Sequence, residues 1–201
     1  LGDVYKRQNI YLVGPSRCGK TTTAIELQKK YGYTHIIMDA VIETMTEIAP
    51  QLGIRHGNLD SDEFRSFLKS YSANLFKYTR HSIIDLEVLK PSFAKSMIND
   101  DESTAIYMGY PSITPEEKLE QMRKYDSEFD WTRNLSDEEL IELLRRHIEE
   151  SKVLQEEALK YGFKFIDTSF DREKTISNSI EKMITNGTLD RTDESYKRYY
   201  R

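Results

Sequence analysis

The chain of 201 residues lacks several features that define whole classes of protein. Its single cysteine, Cys18, excludes an internal disulfide and a cysteine-rich zinc site, and is typical of a reducing compartment. No apolar run approaches the ~20 residues that a membrane helix needs, so no membrane contact is predicted. The net charge of −5 gives no basic excess for displacing counterions, which argues against duplex nucleic acid as a partner. These absences predict a soluble, cytoplasmic, single-domain protein.

The two ends of the sequence differ in character from the rest. Residues 1–8, LGDVYKRQ, resemble an adapter-derived fragment that recurs in metagenomic translations, and we expect a non-native leader there. Asn186 and Gly187 form a helix-stop pair. The polar, tyrosine-rich residues 188–201 that follow are predicted to be a disordered tail. The working domain is therefore predicted to span residues 9–187.

Short apolar segments alternate with helical patterns across this domain. The predicted strands are residues 10–13, 34–38, 82–89, 104–108 and 163–167. Helices are predicted at residues 21–31, 61–80 and 136–161, and capping boxes mark helix starts at Thr114 and Ser136. Alternation of strands and helices predicts an α/β fold of three αβα layers, with a five-stranded parallel sheet between helices.

Residues 14–21, GPSRCGKT, fit the pattern G-x-x-x-x-G-K-[ST] without a mismatch. The glycines let the backbone wrap around a phosphate with its N–H groups directed at the oxygens, and the next helix adds its positive end. Chance produces this pattern in roughly one in a hundred chains of this length. Here it also lies between the first strand and the first helix, where phosphate binding requires it.

This phosphate loop predicts that the chain binds ATP together with Mg²⁺. Lys20 is expected to reach the β- and γ-phosphates, and the Thr21 hydroxyl to bind the metal. Cys18 is either a reactive thiol, with a pKa lowered by the helix N-terminus and by Lys20, or a small filler side chain. The predicted nucleotide-binding residues are Gly14, Pro15, Ser16, Arg17, Cys18, Gly19, Lys20, Thr21 and Thr22.

Carboxylates mark the ends of two predicted strands. Asp39 closes the second strand, in the sequence IIMD, or else caps the helix that follows. Asp85 and Glu87 lie in the third strand, where alternation of side chains directs them to the same face. Asp85 follows two apolar residues, as a Walker-B acid does, and would hold the hydration shell of Mg²⁺.

Arginines flank the short segment at about residues 125–135. Arg123 ends the helix before it, Arg133 lies within it, and Arg145 and Arg146 are two turns into the helix after it. Phosphoryl transfer spreads negative charge over the γ-phosphate oxygens, which cationic side chains stabilise. Arg145 and Arg146 point about 100° apart on a helix, so one of the two is expected to face the site. Arg133 and Arg145 are the predicted catalytic arginines.

With this loop, these carboxylates and these arginines, the sequence resembles the P-loop nucleotide and small-molecule kinases, both adenylate-kinase-like and shikimate-kinase-like. The resemblance covers about residues 9–187. It implies a sheet of order 2-3-1-4-5, a short lid at about residues 125–135, and an acceptor bound beside the carboxyl ends of the strands. The implied activity is transfer of the γ-phosphoryl group of Mg·ATP to a small-molecule or nucleotide acceptor, with Asp39 aligning the acceptor hydroxyl.

Acceptor-binding residues are expected between the second and third strands and beside the lid. Arg55, Glu87 and Arg123 are the candidates, and an arginine in the position of Arg55 favours a phosphorylated or acidic acceptor. Two other functions remain open at this point: a regulatory NTPase whose acceptor is water, and a module that binds ATP only for its structure. The absence of an N-K-x-D signature weakens the GTPase version of the first. The sequence leaves the oligomeric state open.

Overall fold

The computed structural model describes residues 9–79, 81–98, 102–125 and 130–185. The predicted leader, the predicted tail and residues 126–129 of the predicted lid lie outside the described residues. The strands are β1 (Asn9–Val13), β2 (Thr34–Ile37), β3 (Ser82–Leu86), β4 (Ser103–Gly109) and β5 (Lys164–Asp167). The α-helices are α1 (Lys20–Tyr31), α2 (Met38–Ile48), α3 (Asp62–Tyr78), α4 (Pro91–Met97), α5 (Pro115–Lys124), α6 (Asp137–Lys160) and α7 (Arg172–Thr185). Single 3₁₀ turns occupy Pro50–Leu52 and Trp131–Asn134.

The five strands form one parallel sheet of order β2-β3-β1-β4-β5, which confirms the predicted fold. β1 is the central strand, and all of its residues are buried, as are those of β3. Such strands are near-continuous apolar runs because helices cover both faces of the sheet. The central strand therefore delivers Gly14 to the middle of the carboxyl edge.

Side-chain alternation along β1 divides the core into two halves. Ile10 and Leu12 belong to one buried cluster, to which α1 and α7 contribute, while Tyr11 and Val13 belong to the other, with α2 and α3. The long helix α6 supplies side chains to both clusters, Leu144 to the first and Ala158 to the second. The sheet is thus the middle of three layers.

Helix starts follow the sequence chemistry closely. The hydroxyls of Thr114 before α5 and Ser136 before α6 each accept a hydrogen bond from the backbone N–H three residues on. The carboxylate of the glutamate at that position accepts one from the backbone N–H of the capping residue, so both capping boxes are confirmed. None of the helices in the described ranges combines the length and apolar character needed to span a lipid bilayer.

Two strands end earlier than the apolar pattern predicts. β2 stops at Ile37, so Asp39 lies in the first turn of α2, where a carboxylate complements the helix dipole. β3 stops at Leu86, which pairs with Val13, because β1 leaves the sheet at that point to enter the phosphate loop. The prediction that Glu87 lies in the strand is therefore wrong. Glu87 lies in the connection to α4.

Gly109 allows α6 to lie close to the end of β4. A Cβ at this position would lie 2.8 Å from Ser151 Oγ and 2.9 Å from Ser151 Cβ. We predict that Gly109→Ala lowers the free energy of unfolding by about 1–3 kcal/mol, because it overpacks this contact. Urea unfolding measures the change. In a Ser151→Gly background the same substitution should cost less, and an equal cost in both backgrounds would contradict the contact.

Candidate active site

Both glycines of the phosphate loop are required by their surroundings. A Cβ at Gly14 would lie 2.3 Å from the Met108 carbonyl oxygen, a backbone atom that cannot give way. Gly19 has a φ of +101°, and its Cβ would lie 2.9 Å from Ile176 Cδ1. The loop therefore packs directly on β4 at one glycine and on α7 at the other.

Side chains that directly follow β4 and β5 hold the carbonyl groups of the loop. The Tyr110 hydroxyl donates to the Ser16 carbonyl oxygen at 3.0 Å, and the Thr168 hydroxyl donates to the Cys18 carbonyl oxygen at 2.8 Å. At the start of α1 there is no side-chain cap and no acidic residue in the first turn. The first N–H groups of a helix have no partner within it, so this end suits an anion.

Lys20 and Thr21 occupy the first turn of α1, where the motif requires them. The Lys20 ammonium donates to the carbonyl oxygens of Gly14 and Pro15, at 2.7 and 3.1 Å. The cation is therefore held over the loop by the backbone that would surround a phosphate.

Arg17 links the phosphate loop to the base of the predicted lid. Its φ of +67° is unusual for a residue other than glycine. Its guanidinium forms an ion pair with Asp130 and donates to the Met122 carbonyl oxygen at 3.4 Å. The loop is thereby tied to α5 and to the residue before the 3₁₀ turn.

The two predicted strand-end carboxylates have different environments. Asp85 is 8% exposed, and its Oδ2 lies 3.2 Å from Nε2 of His35 on the neighbouring strand. Asp85 pairs with Leu12 in the sheet, close to the start of the phosphate loop. Asp39 is exposed in the first turn of α2. The histidine that orients Asp85 had no signal in the sequence beyond its place in a strand.

A cavity of about 790 Å³ opens beside the phosphate loop, at Val13 and Pro15. Residues 57, 59 and 60 form one wall and residues 87–91, which include Glu87, form another. Helix α6 lines the remaining wall with Arg146, His147, Glu149, Glu150, Val153, Leu154 and Glu157.

The two adjacent arginines of α6 differ in their position relative to this cavity. Both side chains are exposed, but Arg146 lines the cavity, whereas the Arg145 guanidinium lies 3.7 Å from the Glu142 carboxylate. The cavity therefore favours Arg146 as the cation that α6 supplies. Arg145, the predicted one, points about 100° away.

The remaining predicted arginines lie outside the wall of this cavity. Arg123 joins the two ends of the lid region, because its guanidinium donates to Asp137 at 2.6 Å and to the Leu135 carbonyl oxygen at 3.1 Å. Arg133 is exposed in the 3₁₀ turn, and Arg55 is exposed in the loop before α3.

His147 is a site residue that the sequence reasoning missed. It is 8% exposed, lines the cavity, and has its Nδ1 3.2 Å from the Tyr110 hydroxyl. Burial, then the charges of Arg146 and Lys20, lower the pKa of His147 to about 4, so the ring is neutral at pH 7. The signal was a histidine in line with Leu140 and Leu144 on a buried helix stripe.

The hydrogen bonds of Tyr110 fix the tautomer of His147. Burial raises the pKa of the Tyr110 hydroxyl well above its usual value, so it keeps its single proton. That proton goes to the Ser16 carbonyl oxygen, which can only accept. Nδ1 of His147 must then be the N–H donor to the hydroxyl oxygen, and Nε2 carries a lone pair.

A smaller cavity of about 280 Å³ lies between the end of α5 and the start of α7, where Arg172 comes close to Gly19 of the loop. Tyr125 and Arg172 form part of its wall, with the guanidinium 4.7 Å from the centre of the tyrosine ring. Lys118 lines it too, with its ammonium 4.1 Å from the centre of the Tyr110 ring. Burial lowers the pKa of Lys118 to about 8.

Cys18 behaves as a small apolar side chain. It is fully buried, and burial raises the pKa of its thiol in spite of the nearby charge of Lys20. Of the two alternatives, the small filler side chain is therefore favoured over the reactive thiol, because desolvation outweighs the attraction of the cation.

No protein-family model matches the sequence, and no curated protein matches it. Solved structures do resemble it. The shikimate kinase of Acinetobacter baumannii, solved in complex with shikimate, is 20% identical with a TM-score of 0.57, over 92% of this chain and 97% of that one. The shikimate kinase of Bacteroides thetaiotaomicron is 14% identical with a TM-score of 0.55, over 90% and 99%. A sugar kinase from a Janibacter species is 18% identical with a TM-score of 0.50, over 87% and 92%.

The chain has the fold of the P-loop kinases. The strand order, the loop after the central strand and the extent of these matches agree on this point. At such low identities the likeness establishes the fold, and the chemistry must be argued from the residues of this chain.

We predict that Tyr110→Phe lowers the free energy of unfolding by about 1–3 kcal/mol, because the Ser16 carbonyl and Nδ1–H of His147 lose their partner. Tyr107→Phe is the matched control. Among the described residues the buried Tyr107 hydroxyl has no hydrogen-bond partner, so its removal should be neutral or stabilising. Denaturant unfolding compares the two, and equal losses would contradict the assigned hydrogen bonds.

A second prediction concerns pH. In the unfolded chain His147 takes up a proton as the pH falls below about 6.5. The folded chain does so only near pH 4. The unfolded state therefore binds more protons between these values. The free energy of unfolding of the wild type should decrease as the pH is lowered across this window. In His147→Gln that part of the fall should disappear, and parallel stability profiles for the two proteins would contradict the lowered pKa.

Proposed function

We propose that the chain is an ATP-dependent phosphotransferase that moves the γ-phosphoryl group of Mg·ATP to a small-molecule acceptor. One observation carries this proposal: the glycine loop and the uncapped start of α1 lie beside a cavity of about 790 Å³. A water-activating NTPase needs no such volume next to the phosphates. The Acinetobacter baumannii kinase was solved with shikimate, which supports a small hydroxyl compound as the kind of acceptor.

The nucleotide is proposed to lie across the loop, with its phosphates on residues 14–22. Its base enters the smaller cavity, where the faces of Tyr125 and Arg172 offer stacking surfaces. The phosphate chain then points toward the larger cavity, so that the base and the acceptor occupy opposite sides of the loop.

Thr21 and Asp85 are the residues proposed to hold Mg²⁺, directly or through water. Within the described ranges no three histidine, cysteine or carboxylate groups come together as a metal site. This fits a metal bound mainly by phosphates and water, since Mg²⁺ keeps several waters and takes one or two protein oxygens in such enzymes. When bound, the ion neutralises charge that develops on the β- and γ-oxygens.

Cations of this chain are proposed to act on the phosphoryl group, and a hydrogen-bond acceptor is proposed to act on the hydroxyl that attacks it. Lys20 and Arg146 stabilise the phosphoryl group, because fixed charges in a desolvated site favour the transition state. The lone pair of His147 Nε2 accepts a hydrogen bond from the acceptor hydroxyl. Asp39, Arg133 and Arg145 lie outside the wall of the larger cavity, and their catalytic roles stay predictions.

We predict that Lys20→Ala lowers the turnover of ATP at least about 100-fold, because a preorganised cation is lost from the transition state. The free energy of unfolding should fall by no more than about 1–3 kcal/mol, since the lysine contributes two partly buried hydrogen bonds, to the carbonyls of Gly14 and Pro15. Lys29→Ala removes the same charge from the exposed side of α1 and should leave turnover unchanged. Steady-state ADP release measures both, and retained turnover in Lys20→Ala would refute the assignment.

A further inference from the structure

The charged groups on the wall of the larger cavity are unevenly paired. Asp60 forms ion pairs with Lys90 and Arg65, and Glu149 lies 2.6 Å from Lys152. These carboxylates are neutralised by cations of the protein itself, and they hold the outer rim of the cavity.

Three other carboxylates on the wall have no such partner. In the part of the chain that the structure describes, Glu87, Glu150 and Glu157 form no ion pair, and Arg146 is the remaining cation on the wall. Burial and then the nearby charge of Glu87 raise the pKa of Glu150, and the charge of Arg146 offsets part of this rise. The connection after β3 and helix α6 thus bring two like charges together.

His147 adds a second kind of evidence. Its side chain is more than nine-tenths buried, and its Nε2 has no hydrogen-bond partner among the described residues, although the ring lines the cavity. The tautomer set by Tyr110 makes this nitrogen an acceptor. Because the ring lines the cavity, this nitrogen is accessible there, and a ligand hydroxyl can donate a hydrogen bond to it.

We propose that the acceptor carries a positively charged amine beside its hydroxyl, with the amine bound between Glu87 and Glu150 and the hydroxyl donating to Nε2 of His147. The inference rests on the proposed kinase function and names its substrate class. An ammonium relieves the repulsion between the two carboxylates, whereas a phosphate or carboxylate would increase it. The acidic acceptor expected from Arg55 is disfavoured, because that arginine is absent from the wall of the cavity.

Apolar groups complete the fit. Leu59, Val88, Leu89, Val153 and Leu154 line the same cavity and would contact the carbon skeleton of the acceptor. Small-molecule sites commonly combine a mainly apolar wall with a few polar groups that set orientation. Here the polar groups of the wall that form no ion pair within the described residues are hydrogen-bond acceptors, except Arg146.

The test uses three series of hydroxyl compounds, each with an amine, a neutral member and a carboxylate of similar size. They are glucosamine, glucose and glucuronate; 2-deoxystreptamine, myo-inositol and quinate; serinol, glycerol and glycerate. Each is titrated by calorimetry into the full chain with a non-hydrolysable Mg·ATP analogue bound. In at least one series the amine should bind at least about tenfold more tightly than the neutral member, and the acid should bind most weakly. Equal binding, preference for an acid, or no binding by any amine would overturn the proposal.

Variants test whether the preference for an amine arises at Glu87 and Glu150. In Glu87→Gln/Glu150→Gln the affinity for the amine should fall at least about tenfold and the preference over the neutral member should vanish. Glu156→Gln is the matched control, because this glutamate is exposed on the same helix away from the cavity. An amine preference that survives in the double variant would refute the proposal.

Binding of the ATP analogue distinguishes a failure of the kinase proposal from a failure of the proposed substrate class. If the wild type fails to bind the analogue, the kinase proposal fails. If the analogue binds and the amine preference is absent, the kinase proposal stands and the substrate class is wrong.

Discussion

The contact between Gly14 and the Met108 carbonyl sets the geometry on which the rest of the site depends. The absence of a Cβ at Gly14 lets the chain leave β1 against the backbone of β4, and the sheet places this exit at the centre of its carboxyl edge. Tyr110 and Thr168 then hold the loop carbonyls, so the N–H groups and the start of α1 remain for an anion. This arrangement is the one that the proposed binding of phosphate requires.

The two cavities near the loop differ in size and in the chemistry of their walls. On one side, α5 and α7 enclose a small space with an aromatic ring and a guanidinium, and on the other α6 encloses a larger space rich in carboxylates. The charges are unevenly distributed, because Arg17 and Lys20 lie in the phosphate loop whereas carboxylates outnumber cations on the wall of the larger cavity. His147 joins these parts, since the hydroxyl that holds the loop at Ser16 also fixes its tautomer.

The sequence allowed prediction of the fold, the phosphate loop and both capping boxes, because each depends on local patterns with one physical solution. It could not locate strand ends that depend on pairing, as at Leu86, whose partner strand stops at Val13. Nor could it choose between Arg145 and Arg146, since the helix pattern permits either to face inward until neighbouring elements are in place. His147 was missed because a buried histidine and a catalytic one have the same signal in a helix stripe.

The central claim is that the γ-phosphoryl group passes to an organic hydroxyl in the cavity beside the loop. ³¹P NMR of reactions with Mg·ATP and a panel of hydroxyl compounds follows that group directly. The account predicts a new phosphate-ester resonance that grows with an acceptor as the γ-phosphate signal declines, and that is absent with Lys20→Ala. Production of inorganic phosphate alone, at a rate independent of every added compound, would contradict it and identify water as the acceptor.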